Sequence, residues 1–123
     1  MKKEAHWQTK FNQYLRETRI HGFFELKQTE TNSLPLSAIE THQYEGLQAT
    51  QFEGLVWKFS DEDRRQKPCD CVCIPPLPSF IVIKFPDGFY MVLISKIVLL
   101  KERKVKSITL QMAKDIAYKI IRL

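Results

Sequence analysis

The hydrophobic and polar positions of this chain change period several times, and each change marks an element. Over residues 4–18, Trp7, Phe11, Tyr14 and Leu15 recur at helical spacing, while Lys10, Gln13, Arg16 and Glu17 take the other face. This predicts an amphipathic helix. Glu4 opens it, where an acid complements the helix dipole. His21-Gly22 then turns the chain into Phe23-Phe24-Glu25-Leu26-Lys27-Gln28-Thr29, which reads as a buried strand. Residues 30–35 are loop material. Ser37, with Glu40 three residues on, forms the signature of a capping box and predicts a helix from there to about Thr50.

Further on, Gly54-Leu55-Val56-Trp57-Lys58-Phe59 predicts a second strand, and Cys69 to Ile74 a third, across a charged loop. Phe80–Phe85 and Phe89–Ile94 predict a hairpin, because Pro86-Asp87-Gly88 supplies clear turn chemistry between two apolar runs. Ile97–Leu100 is apolar and suits a short helix or a strand. From Thr109 a final helix is predicted, with Ala113, Ile116, Ala117, Ile120 and Ile121 inward. This order of elements predicts an α/β or α+β fold with a central mixed sheet flanked by helices.

Composition narrows the class. A chain of 123 residues suits one domain, residues 1–123, and 44% hydrophobic with 27% charged residues describes a globular protein rather than a disordered one. The longest apolar stretches fall well short of the ~20 residues of a membrane span, and the N-terminus lacks a signal-peptide pattern. A cytoplasmic protein without a membrane partner is expected. Lys and Arg total 19 against 14 acids, a formal charge of +5, which is compatible with a polyanionic partner without demanding one.

Cys69, Cys71 and Cys73 alternate on one face of a predicted strand. Their odd number and close spacing make a poor disulfide framework and suit a reducing compartment. The plain expectation is small buried hydrophobes. A structural zinc site would need a second Cys or His pair, and His6, His21 and His42 lack that spacing.

Candidate chemistry starts on the first strand. Glu25 and Lys27 share one face of an apolar segment, and burying either charge alone is costly. Either they form a structural ion pair or they are half of a metal-dependent site. Gln43 lies on the same helical stripe as Ile39 and Leu47, so its amide either bonds a neighbouring backbone group or reaches that polar pair. Asp70, set among apolar neighbours, is a second carboxylate. Two carboxylates converging on one point suit a hard divalent cation such as Mg²⁺, which polarises a phosphodiester. A neighbouring lysine can orient or deprotonate the attacking water. Lys101, Arg103, Lys104 and Lys106 form the densest basic cluster, either a soluble loop or a phosphate contact.

The run from Phe24-Glu25-Leu26-Lys27-Gln28-Thr29 through Ser33-Leu34-Pro35-Leu36 to His42-Gln43 resembles the PD-(D/E)xK nuclease superfamily. Within it, the run is similar to the small phage and bacterial Holliday-junction-resolvase-like endonucleases. The resemblance implies a restriction-endonuclease-like core, a Mg²⁺- or Mn²⁺-dependent endodeoxyribonuclease acting on branched DNA, and a homodimer. It implies Asp70 and Glu25 as metal ligands with the Leu26 carbonyl as a third oxygen, Lys27 and Gln43 as catalytic partners, and Glu4 in support. The pattern departs from the family in one respect. No Asp lies between Met1 and Glu25, Asn12 stands near the usual slot, and Pro68-Cys69-Asp70 resembles the missing half later in the chain. Val82-Ile83-Lys84 follows it with Val82 where the family's acid would be. The alternative is a catalytically inactive nucleic-acid-binding module of the same fold.

Overall fold

A computed structural model describes the backbone of residues 2–58 and 71–123 and the side chains of residues 6–56 and 71–123. Helix α1 (Lys2–Thr18) leads into β1 (Phe23–Gln28) and β2 (Ser33–Pro35), and a 3₁₀ turn (Leu36–Ala38) precedes α2 (Thr41–Glu53). There follow β3 (Leu55–Lys58), β4 (Cys71–Ile74), β5 (Ser79–Phe85), β6 (Gly88–Leu93) and α3 (Ile94–Glu102). The chain closes with β7 (Ser107–Thr109), α4 (Leu110–Ile116) and β8 (Lys119–Arg122).

The central sheet has the order β1-β5-β6-β8. Strand β1 runs parallel to β5, from Phe23 opposite Ser79 to Gln28 opposite Lys84. The β5–β6 and β6–β8 pairs are antiparallel, which makes the sheet mixed and the fold α+β. Every residue of β5 is buried, because helices cover both faces of the sheet and an apolar run without alternation is what two covered faces require. Phe80 and Val82 join Phe11, Leu26, Phe89 and Met91 on the α1 side. Ile81, Ile83 and Phe85 join Tyr44, Ile94, Ile97, Ile108 and Ala113 on the side of α2, α3 and α4. The period of two along β5 therefore divides one strand between two cores.

The helix expected to start at Ser37 starts four residues later. Leu36 N–H donates to the Lys106 carbonyl at 2.9 Å, and Pro35 stands opposite Ser107 in the β2–β7 pair. Sheet pairing thus holds this stretch out of the helix, and Ser37 sits in the 3₁₀ turn. Glu40 is the N-cap, with Gln43 completing a reciprocal capping box. The residues read as loop between 30 and 35 include β2 for the same reason.

The final helix is also shorter than its periodicity predicts. It ends at Ile116, and Ile120 and Ile121 pair with Tyr90 and Phe89 as part of β8. Their spacing fits a helical stripe, but the open edge of β6 offers backbone hydrogen bonds as well as burial, and β-branched side chains suit a strand. Residues 97–100, ambiguous in sequence, lie in α3.

At the end of α2, Gly54 adopts φ 78°, and a Cβ there would collide with the Ile74 carbonyl. The glycine lets the chain leave the helix and pass close against the β3–β4 pair. Cys71 and Cys73 are exposed on β4, not buried as their alternation suggested, and Cys69 lies outside the described residues. Among the described residues no group of three His, Cys, Asp or Glu side chains could hold a metal ion. Among the described residues no helix is long and apolar enough to cross a membrane.

Candidate functional site

Among the described residues strand β1 is an edge of the central sheet, paired with β5 alone. Phe23 N–H donates to the Pro78 carbonyl and Thr29 N–H to the Lys84 carbonyl, so the odd-numbered residues of β1 direct their backbone groups toward β5. By the period of two, the N–H and C=O of Leu26 face the unpaired edge, while its side chain is buried toward α1. The Glu25 and Lys27 side chains point to the opposite face, toward α2.

There Glu25 lines a cleft of about 390 Å³ with Phe23, Phe24, His42, Gln43, Gly46, Leu47 and Thr50. The cleft exists because α2 crosses over β1 with a glycine at its centre. A Cβ built on Gly46 would meet nothing within 4 Å. The far end of α2 is pinned to the sheet by polar contacts. Thr50 donates its hydroxyl to the Leu47 carbonyl at 3.0 Å and lies 3.1 Å from the Ser79 hydroxyl, and Gln51 Oε1 accepts from Ser79 N–H at 3.0 Å. Ser79 is wholly buried and opposite Phe23 in the β1–β5 register, so these bonds set the spacing between helix and edge strand.

Glu25 and Lys27 are both half-buried, and among the described residues neither has a hydrogen-bond or ion-pair partner. They do not form the ion pair that their spacing allows. Gln43 does bond a neighbouring backbone group: its Oε1 accepts from Glu40 N–H at 3.0 Å. The other end of the amide, Nε2, carries two donors with no partner among the described residues. His42 is exposed and points its Nδ1 at Glu40 Oε2, 3.2 Å away. Lys27 shares the face of Glu25 but is not among the residues lining the cleft.

Asp70 lies outside the described residues. Cys71, which follows it, pairs with Lys58 at the end of the β3–β4 ladder opposite the Leu55–Ile74 pair. The side chain of Glu4 is likewise outside the described set. Donors for a hard cation are therefore present in part. The Glu25 carboxylate and the Leu26 carbonyl are suitable oxygen ligands, and one carboxylate alone is short of what Mg²⁺ takes from protein together with a substrate phosphate.

The basic cluster lies across α2 from this cleft. Lys101 places its Nζ 4.0 Å above the Tyr44 ring and lines a second cleft, of about 420 Å³, with Ser37, Glu40 and Thr41. The Tyr44 hydroxyl donates to the Leu36 carbonyl, and burial raises its pKa above the usual tyrosine value. Arg103, Lys104 and Lys106 are exposed in the turn that follows α3. The first turns of α2 thus have Gln43 beside Glu25 on one flank and Tyr44 beside Lys101 on the other.

Two features were not assembled from the sequence. One is the Thr50–Gln51–Ser79 junction, whose partners are distant in the chain. The other is a cavity where Lys84 meets Trp7. Its sequence signal is a lysine set inside the apolar run Phe80–Phe85, noted above only as the end of Val82-Ile83-Lys84. No family model matches the chain, and no curated protein matches it.

Proposed function

We propose that the protein is a Mg²⁺- or Mn²⁺-dependent endodeoxyribonuclease acting on branched DNA, with its active site in the cleft between β1 and α2. The observation that carries this reading is the Glu25 carboxylate, half-buried on an edge strand, without a partner among the described residues, and facing an open cleft. A carboxylate placed this way, with two oxygens open to the cleft, is available to a hard cation. The resemblance of the β1 segment to PD-(D/E)xK nucleases supports the same reading.

In this proposal Glu25, the Leu26 carbonyl and Asp70 hold the metal ion, which when bound supplies Lewis-acid polarisation of the scissile phosphodiester. Lys27 orients the attacking water by donating to it and helps remove its proton. Gln43 donates from Nε2 to a phosphate oxygen while its Oε1 stays on the helix cap. Glu4 belongs to the opening turn of α1, which covers the other face of the sheet, and takes no part in this ligand set. Lys101, Arg103, Lys104 and Lys106 contact flanking phosphates, so binding weakens with salt. Cutting both strands of a junction requires two such sites, hence a homodimer.

The test is cleavage of a labelled four-way junction, with matched duplex and single strand, in Mg²⁺ or Mn²⁺. Glu25→Ala and Asp70→Ala should each abolish metal-dependent cutting. Cutting that survives Asp70→Ala removes that residue from the ligand set. Salt-sensitive binding without cutting, indifferent to Mg²⁺ and to Glu25, would make the protein a non-catalytic nucleic-acid-binding module.

A further inference from the structure

On the face of the sheet opposite the Glu25 cleft, a cavity of about 470 Å³ lies between the start of α1, the end of β1 and the β5–β6 turn. Its volume falls within the ~300–1,000 Å³ usual for small-ligand sites. His6, Trp7, Gln28, Thr29, Glu30, Lys84 and Pro86 line it.

Lys84 is the unusual member. Only 5% of the residue is exposed. Its Nζ donates to the Phe85 carbonyl at 2.8 Å and lies 4.2 Å above the Trp7 ring. An ammonium has three donors, and these contacts occupy one bond and one π-face. Among the described residues no carboxylate pairs with it. Asp87 acts on it only at a distance and is bonded to Tyr90 and Arg122. Burial lowers the Lys84 pKa, and the distant Asp87 carboxylate offsets this only in part. Folding gains little from such a lysine, so an acceptor arriving in the cavity would relieve a standing cost.

The remaining walls indicate what that acceptor belongs to. Trp7 offers an indole surface, with Lys10 5.5 Å from its ring centre. Gln28 offers an amide that both donates and accepts. A flat ring that carries carbonyl or ring-nitrogen acceptors on one edge and N–H donors on another matches Lys84, Trp7 and Gln28. We infer that the cavity binds an unpaired nucleobase, packed against Trp7, accepting from Lys84 and read along its polar edge by Gln28. The base would come either from a free nucleotide or from an unpaired strand, since aromatic packing and edge hydrogen bonds are common to both. This site stands independently of the proposed cleavage, because it lies on the other face of the sheet and shares no residue with the Glu25 cleft.

The experiment is calorimetric titration in EDTA, which removes divalent metal and with it any cleavage. The four deoxynucleoside monophosphates, a short single-stranded oligonucleotide, its duplex and deoxyribose 5-phosphate are each titrated into the protein and into Lys84→Met and Trp7→Leu, after thermal unfolding has verified that both variants are folded. Saturable binding of a monophosphate, or of the single strand alone, weakened at least tenfold in Lys84→Met, is the expected result, and which of the two binds identifies the source of the base. Binding unchanged in Lys84→Met, equal affinity for deoxyribose 5-phosphate, or no saturable binding of monophosphate and single strand would each overturn the inference. Trp7→Leu probes the indole wall in a second variant, so a folding defect in one does not decide the outcome.

Discussion

Gln43 closes the N-terminus of α2 by accepting a hydrogen bond from the backbone N–H of Glu40, 3.0 Å away, while the same residue lines the cleft that holds Glu25. One amide therefore serves two ends. Its oxygen is structural, and among the described residues its nitrogen has no hydrogen-bond partner. Gln43→Ala should lose the cap and destabilise the protein by about 1 kcal/mol. Gln43→Glu keeps a capping oxygen at the same position and should unfold within a few tenths of a kcal/mol of the parent, yet lose the donor. Thermal unfolding beside junction cleavage separates the two roles: a Glu variant that cuts at the parental rate would confine Gln43 to the cap.

Gly46 keeps the cleft open at no steric cost, since added atoms there meet only space. Gly46→Ala should stabilise α2 by roughly 0.5–1 kcal/mol, as alanine does in a helix interior. Gly46→Leu should fold equally well and fill the cleft. If the cleft is the site of cleavage, the leucine variant loses activity without losing stability, and undiminished cutting would place the chemistry elsewhere.

Gln51 caps a buried donor from a distance. Its Oε1 is the partner of Ser79 N–H at the start of β5. Gln51→Ala should strand that N–H and cost about 1–3 kcal/mol, the usual penalty for an unsatisfied buried group. Urea unfolding measures it. Gln51→Glu, which restores an acceptor, should recover most of the loss.

Lys84 predicts a pH dependence of definite sign. Burial holds its pKa below the ordinary lysine value, so between the two values the unfolded chain binds more protons than the folded one. Stability from this group therefore rises as pH rises through that alkaline window and is lost again as pH falls through the folded pKa. Lys84→Met removes the charge at similar volume and should be more stable near neutrality by about 1 kcal/mol. The advantage of the methionine should shrink with increasing pH, read from urea unfolding of both proteins across the alkaline range. An advantage that grows with pH would mean that the folded protein stabilises the charged lysine.

Much of the fold was legible because strong, local patterns produced it. The Trp7–Leu15 stripe forms α1, the Pro86-Asp87-Gly88 turn joins β5 to β6, and the uninterrupted apolar runs of those strands sit at the sheet centre. Of the two expectations for Gln43, the bond to a neighbouring backbone group is the one the structure contains, and Gln43 and Glu25 line one cleft. The errors share a cause. Ser37 and Ile120 each carry a valid local signal for helix, and each is overruled by a strand that needs partners: β7 holds the chain at Leu36, and β6 takes Ile120 and Ile121. The exposure of Cys71 and Cys73 was hidden similarly, since alternation says which residues share a face but not whether anything covers it.

By itself the sequence determined where apolar surface must be buried and with what period, and so the first helix, the central hairpin and the mixed α+β architecture. Only the tertiary structure decided which distant groups meet. Gln51 finding Ser79, Tyr44 receiving Lys101, and Lys84 arriving over Trp7 depend on strand register and on which face each helix covers. A single-residue shift in register reverses every side chain of a strand. Such contacts are settled by the summed burial of whole elements, and no short stretch of sequence contains that sum.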